Sequence, residues 1–238
     1  MKYFECKKLC YLNKKDKPIV SKVVVDEFTD MVEKNFDYDF TGESEFYPYE
    51  FPDELKDLDF QIMVITGASG RGKSTFLREF LNYKQMSNSY DNSKAIVSNF
   101  KTPKDASERL SAVGLNSMPV WCRPRNVLSI GEGFRADVAL NLDSYTVFDE
   151  FTSTIDRNVA KSTCNSVQRY IRDKNLTNIV FCSCHNDYIP FLKPDIVVDL
   201  DRECVFDCRG ACLGETFSSK YENAETSVFG ACLGTITI

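Results

Sequence analysis

An α/β fold with a parallel central sheet is the architecture this 238-residue sequence predicts. Two observations carry the prediction. Phe60 to Thr66, Tyr145 to Phe148, Asn178 to Cys182 and Ile196 to Leu200 are short apolar runs, as strands buried on both faces should be. Between them lie stretches of helical periodicity, and strands alternating with helices imply parallel neighbours.

Residues 1 to about 52 are rich in β-branched and aromatic residues interrupted by charges, and Ile19 to Val25 is the best strand there. The acidic segment from Asp37 to Glu54 carries Phe46, Tyr47, Tyr49 and Phe51. Its two prolines keep it extended or looped. The run Phe60 to Thr66 ends at a glycine, and from Ser74 onward Phe76, Leu77, Phe80 and Leu81 share one helical face. Polar Gln85 to Lys94 predicts a loop, followed by a strand at Ala95 to Val97. Asp105 to Val113 predicts a short helix burying Ala106, Leu110 and Val113. Asn116 to Asn126 is a proline-containing loop around Trp121. A helix begins near Gly131 and runs to about Leu142. After the strand at 145–148, Val159, Thr163, Val167, Tyr170 and Ile171 form a clear helical stripe. The pentapeptide Gly-Ala-Cys-Leu-Gly occurs at 210–214 and again at 230–234, and one repetition makes no solenoid.

A hydrophobic fraction of 43% and a charged fraction of 27% suit a globular chain long enough to bury a core without staples. Lys plus Arg is 29 against 35 Asp plus Glu, a net charge of −6. That is the wrong sign for a general nucleic-acid coat or an anionic-membrane binder, leaving only a local basic groove for such a role. No apolar run approaches the roughly 20 residues of a membrane span. The first residues, MKYFECKKLCYLNKKDK, are basic but lack the apolar stretch of a secretory signal. A cytoplasmic protein is expected. Its ten cysteines then read as free thiols. Cys204, Cys208 and Cys212 recur every four residues, with Cys232 beyond. Four thiolates could hold zinc, but this is not a zinc spacing, and small buried core-fillers are the expected role.

Gly67-Ala68-Ser69-Gly70-Arg71-Gly72-Lys73-Ser74 fits G-x-x-x-x-G-K-[ST] in full, between a buried strand and a helix. Its glycines let backbone N–H groups wrap an anion, helped by the positive end of the helix dipole. Lys73 would reach the β- and γ-phosphates of a nucleotide, the Ser74 hydroxyl would bind Mg²⁺, and Thr75 continues the phosphate cradle. Asp149 ends a second buried strand, where a carboxylate partners the metal opposite Ser74. Glu150 follows it as the general base that polarises an attacking water.

Leu128-Ser129-Ile130-Gly131-Glu132 precedes a helix about twenty residues before Asp149. It resembles the LSGGQ signature of the ATP-binding-cassette (ABC) ATPases. VFDEFTSTID resembles that family's strand-end acids and D-loop, and FCSCHND its switch-histidine strand. Four motifs in the family's order cover about Phe60 to Asp199. The resemblance implies a P-loop ABC-type α/β domain with an N-terminal antiparallel β-subdomain and a reduced helical lobe. It implies Mg²⁺-dependent ATP hydrolysis in an ATP-dependent head-to-tail homodimer. Ser129 and Gly131, with Glu132 in the same motif, would meet the γ-phosphate of ATP held by the opposite subunit. Asp156 would cross the interface as the D-loop residue, and His185 would contact the γ-phosphate and position the water with Glu150. An aromatic residue upstream of the P-loop stacks on adenine in the family. Tyr47 and Tyr49 are the candidates, with simple packing an equal alternative for each.

The transporter pattern is not matched throughout. No clear Q-loop glutamine lies between the P-loop and the signature, and Asn99 is the nearest polar substitute. The stretch from Lys73 to Ser129 is also shorter than the transporter lobe that docks on membrane domains. ERLSAVGLNSMPVWCRPRNVLSIGEGFRADVALNL and DEFTSTIDRNVAKS resemble a soluble microbial and phage branch whose members are often fused to a predicted GNAT-type acetyltransferase. This chain has no room for that domain, so such a partner would be a separate protein. The implied ABC domain spans 1–205. Residues 1–59 would be the β-subdomain and 60–205 the core, with its helical lobe at about 100–130; 206–238 would be a tail. The competing function is an ATP-gated interaction or DNA-associated module with little turnover, and a transporter subunit stands third.

Overall fold

The computed structural model describes residues 6–80 and 82–210. Leu81 and the segment 211–238, with Cys212, Cys232, all of the second pentapeptide copy and all but Gly210 of the first, lie outside the described residues. The chain begins with strand β1 (Lys7–Tyr11), then β2 (Ile19–Lys22), helix α1 (Glu27–Phe36) and β3 (Glu43–Phe46). Strand β4 (Ile62–Thr66) leads into α2 (Lys73–Phe76), followed by β5 (Lys84–Gln85). Next come α3 (Pro103–Ala112), α4 (Met118–Trp121), α5 (Ile130–Asn141), β6 (Thr146–Phe148) and α6 (Arg157–Asp173). The fold closes with β7 (Ile179–Ser183), α7 (Ile189–Leu192), β8 (Ile196–Asp199) and β9 (Cys204–Asp207).

This is an α/β fold with a seven-stranded mixed sheet in the order β1-β9-β8-β4-β7-β6-β5 and a separate two-stranded antiparallel sheet, β2-β3. From β8 through β5 the neighbours are parallel, while β9 pairs antiparallel with both β8 and β1. All five residues of β4 and of β7 are buried, as continuous apolar runs in a sheet covered on both faces require. Side chains alternate between two cores. Ile62, Val64, Ile179, Phe181 and Val197 face α3, α5 and α6, where Leu110, Val138, Val167 and Ile171 pack against them. Met63, Ile65, Val180, Cys182, Ile196 and Val198 face the opposite layer, with Leu12, Tyr49, Leu55, Phe76 and Phe80.

The expected N-terminal antiparallel β-subdomain is present but smaller than 1–59. β1 joins the main sheet, and only β2 and β3 make a separate antiparallel unit. Between them stands α1, closed by a capping box of Asp26 and Thr29. Its Phe28, Met31, Val32 and Phe36 sit at helical spacing, yet every residue of α1 keeps some exposure. Interleaved charges conceal that periodicity in the sequence. The strand expected at Ile19–Val25 stops at Lys22, leaving Val23, Val24 and Val25 exposed.

Three further expectations change. The strand at Ala95–Val97 is a 3₁₀ turn, Ile96–Asn99, and Ile96 is fully buried while its N–H bonds to Arg123 O of the lobe. Apolar burial alone therefore mimicked a strand. The sheet edge is supplied by β5, at Lys84, for which no element is expected, and Gln85, expected to open a loop. The helix from Ser74 is one α-turn that tightens into a 3₁₀ turn, Leu77–Phe80, with Phe76, Leu77 and Phe80 buried as expected. The lobe at about 100–130 is built by α3, α4 and a 3₁₀ turn at Arg125–Val127, and Trp121 is buried there, donating Nε1–H to Leu115 O. At the other end, β9 carries the sheet past the boundary drawn at 205, and Cys208 is buried in the core. No helix among the described residues is long and apolar enough to cross a membrane.

Candidate functional site at the carboxyl ends of the central strands

In an open parallel sheet the carboxyl ends of the strands frame the ligand crevice. β4, β7 and β6 are neighbours in that order, with Thr66 in register with Ser183 and Phe148 with Phe181. Their carboxyl ends therefore bring together the glycine-rich loop after β4, His185 after β7 and Asp149-Glu150 after β6. Phe46, Ser69, Gly70, Gly72, Lys73, Ser74, Thr75 and Glu150 line an open pocket of about 300 Å³.

The loop needs its glycines. Gly70 and Gly72 have φ of 81° and 90°, in the left-handed region that disfavours side chains. At Gly72 a Cβ would also stand 2.5 Å from the Phe46 ring. Lys73 is buried, and its ammonium spans the loop, donating to Gly67 O at 2.8 Å and Ala68 O at 2.9 Å. Arg71 turns away from the pocket. Its Nε donates to the Asp201 carboxylate at 3.1 Å, and the same carboxylate accepts from Ala68 N–H at 3.0 Å. Ser74 exposes its hydroxyl at the start of α2.

Beyond β6 the chain makes a strained turn. Glu150 and Thr152 have φ of 51° and 66°, a costly conformation for residues with side chains. Several contacts hold it. Phe151 is fully buried and its N–H bonds to Cys182 O of β7 at 2.8 Å, while Ser153 Oγ donates to Glu150 O at 2.6 Å. This turn points Glu150 into the pocket. Asp149 accepts from Glu150 N–H at 2.9 Å and lies against the Cys182 thiol. Burial first, and then the Asp149 charge and hydrogen bond, push that thiol far above its usual range. Asp149 and His185 do not line the pocket; they follow the carboxyl ends of the neighbouring strands β6 and β7.

A second network joins these loops, and nothing in the motifs marked it. Arg157, the first residue of α6, pairs with Asp187 and donates to Thr152 O at 3.1 Å. Burial pushes the Asp187 carboxyl up, but the Arg157 hydrogen bond and charge outweigh it and hold the group below the usual carboxylate range. Thr66, at the end of β4, donates to Asn186 beside His185. The only sequence sign was one Arg and two polar residues next to recognised motif positions.

Other expected residues lie elsewhere. Ser129 caps α5 in a capping box, its Oγ donating to Glu132 Oε2 at 2.7 Å and accepting from Glu132 N–H at 3.3 Å. That hydrogen bond holds the Glu132 carboxyl below its ordinary value. Ser129 and Ile130 are exposed, and Gly131 faces Ile155 of the turn after β6. Neither Ser129 nor Gly131 touches the pocket of its own chain. Asp156 caps α6, accepting from Asn158 N–H at 2.8 Å. Asn99 is not brought to the pocket, since both ends of its amide brace their own loop, accepting from Asp91 N–H and donating to Ala95 O. Tyr49 is buried and donates its hydroxyl to Leu200 O and Glu203 Oε1; burial and Glu203 push it up to about 12. That is a packing role. Tyr47 is exposed and donates its hydroxyl to Glu45, and Phe46 is the aromatic residue that lines the pocket. Cys204 and Cys208 bracket β9, about 13 Å apart at strand rise, too far to share a zinc ion.

No family model matches the sequence, and no curated protein matches it. Solved structures align by shape. A chain of the complex between the archaeal ribosomal stalk protein aP1 and the archaeal ribosome recycling factor aABCE1 aligns at a TM-score of 0.49 and 16% identity. The alignment covers 64% of this chain and 38% of that one, so the chain spans little more than a third of that relative's length. The dimeric ATP-binding cassette MJ0796, in a post-hydrolysis state bound to ADP and Pi, aligns at 0.47 and 13% identity over 81% of this chain and 94% of its own. A second dimeric MJ0796 structure, described as a bacterial ABC transporter cassette, aligns at 0.46 and 12% over 67% and 90%. Likenesses this distant assign neither residues nor activity, and function is argued from the site itself.

Proposed function

We propose that this chain is an ABC-type ATPase that binds and hydrolyses Mg-ATP at sites completed across a head-to-tail homodimer. The observation that carries the reading is the meeting of Lys73, Ser74 and Glu150 on one pocket, with the left-handed glycines of a complete G-x-x-x-x-G-K-S loop. Phosphate would enter along the loop and draw the Lys73 ammonium from the carbonyls of Gly67 and Ala68. Phe46, already against Gly72, offers a face for the nucleobase. Ser74 and Asp149 present a hydroxyl and a carboxylate, hard oxygen donors that suit Mg²⁺. The metal would neutralise phosphate charge when bound. Glu150, which lines the pocket, would take a proton from the attacking water, and His185, beyond the end of β7, would orient that water.

The exposed capping box at Ser129, outside its own chain's pocket, supports completion of the site by a second copy. There the N-terminus of α5 would meet the γ-phosphate. An ATP-gated module with little turnover, DNA-associated or otherwise, is disfavoured by the intact Glu150 aimed at the pocket. An acetyltransferase-like partner has no counterpart in the geometry. Calorimetry tests the reading directly. Lys73→Ala is expected to lose measurable ATP affinity, and unchanged affinity would overturn the phosphate-loop assignment.

A further inference from the structure

We propose that Cys6 and Cys208 are a reversible cross-strand thiol–disulfide pair, oxidised by low-molecular-weight disulfides of the glutathione class. The site is separate from the nucleotide pocket and does not rest on the ATPase reading. Lys7 pairs with Asp207 in the antiparallel β1–β9 ladder, so the next residues outward, Cys6 and Cys208, stand opposite one another. The Cys208 N–H points the other way, to Asp195 O at 2.7 Å. In the β1–β9 pair this is therefore a non-hydrogen-bonded position, where opposed Cα atoms come within about 4.5 Å. That separation lies inside the range of about 4.4–6.8 Å that a disulfide accepts. Both side chains lie on the same sheet face, Cys208 within the core and Cys6 packed against its edge. The two thiols hydrogen-bond to each other.

Accessibility sets the order of events. Cys208 is buried, whereas Cys6 is partly open to solvent. The Cys208 hydrogen bond holds the Cys6 thiol below its ordinary value against the opposing effects of burial and Asp207, and pushes Cys208 upward. The Cys6 thiolate, its proton given to water, attacks one sulfur of the small disulfide. That S–S bond breaks and one thiolate leaves, with Cys6 carrying the other half as a mixed disulfide. Cys208 then gives its proton to the departed thiolate. Its sulfur attacks Cys6 Sγ and expels the second small thiolate, which takes from water the proton that Cys6 gave up. The protein loses two electrons and two protons, and the oxidant becomes two thiols. The bond ties edge strand β1, which opens the N-terminal arm carrying Phe46, to β9.

The full chain is incubated with oxidised glutathione, quenched by alkylation and mapped as non-reduced peptides. A Cys6–Cys208 linked peptide that dithiothreitol removes is expected, with an unfolding temperature raised by about 5–10 °C on oxidation. Cys6→Ser is expected to abolish both the link and the shift, and its partly solvent-open place at the edge of the core keeps the fold intact. Cys208→Ser should stop at glutathione on Cys6. Should the wild-type protein carry glutathione on Cys6 beside a free Cys208 at equilibrium, or join Cys6 to another cysteine, the proposal is overturned.

Discussion

The Phe46 ring occupies the space a side chain on Gly72 would need, so the arm and the phosphate loop share one wall. If that ring stacks on the nucleobase, Phe46→Ala is expected to weaken ATP binding about tenfold, while Tyr47→Ala leaves it unchanged. Equal affinities by fluorescence titration for both variants would remove Phe46 from the site. Glu150 makes a different prediction. Its left-handed backbone suits glutamine no worse, so Glu150→Gln keeps the turn and removes only the base. ATP binding should persist while turnover falls by at least about 100-fold in a steady-state phosphate-release assay. Normal turnover would show that another group activates the water. That Lys73 and Ser74 share a pocket with Glu150 is legible in part: the loop motif fixes the types and spacing of the first two, and Glu150 is marked as an acid following a buried strand. Phe46 is not. Four aromatics stand within six positions, and nothing local says which of them meets a glycine twenty-six residues on.

Among the elements, α5 shows how a single glycine serves an ion pair. A Cβ on Gly133 would lie 2.2 Å from Arg125 Nη1, because the guanidinium lies flat against that turn of helix. There it forks onto Asp137, with contacts of 2.7 and 2.6 Å to the two carboxylate oxygens. Asp137 is buried, so displacing Arg125 would strand a carboxylate. Gly133→Ala is accordingly expected to destabilise the chain by about 2 kcal/mol despite the better helix propensity of alanine. Chemical denaturation checks it. In an Arg125→Ala background the same change should cost nothing, and a persisting cost there would place its cause elsewhere. The central strands were legible because burial on both faces leaves them uniformly apolar. The short edge pieces were not. β5 has two residues and no pattern, and in the turn at Ile96–Asn99 the buried Ile96, beside Val97, gave the look of a strand.

At the scale of the whole molecule, the proposed mechanism divides one chemistry between two surfaces. The pocket of one chain holds the phosphate loop and Glu150, while the exposed end of α5 stands apart with its cap facing solvent. A two-fold dimer would bring each end of α5 to the other's pocket and make two equivalent sites. Complementation tests this arrangement. On the proposed mechanism a Lys73→Ala chain would not hold ATP and a Ser129→Arg chain would not complete its partner's site, so each variant alone is expected to be inactive. In a mixed dimer one site combines both lesions and is dead. The other joins the intact loop of the Ser129→Arg chain to the intact α5 of the Lys73→Ala chain. Mixing should therefore restore activity to about half the sites of each mixed dimer. Strict coupling between sites would mute the gain, so ATP-dependent dimerisation of the mixture is followed by light scattering in the same samples. A Ser129→Arg chain that hydrolyses ATP normally on its own would reduce Ser129 to the helix cap it forms with Glu132, and the shared-site mechanism would fall.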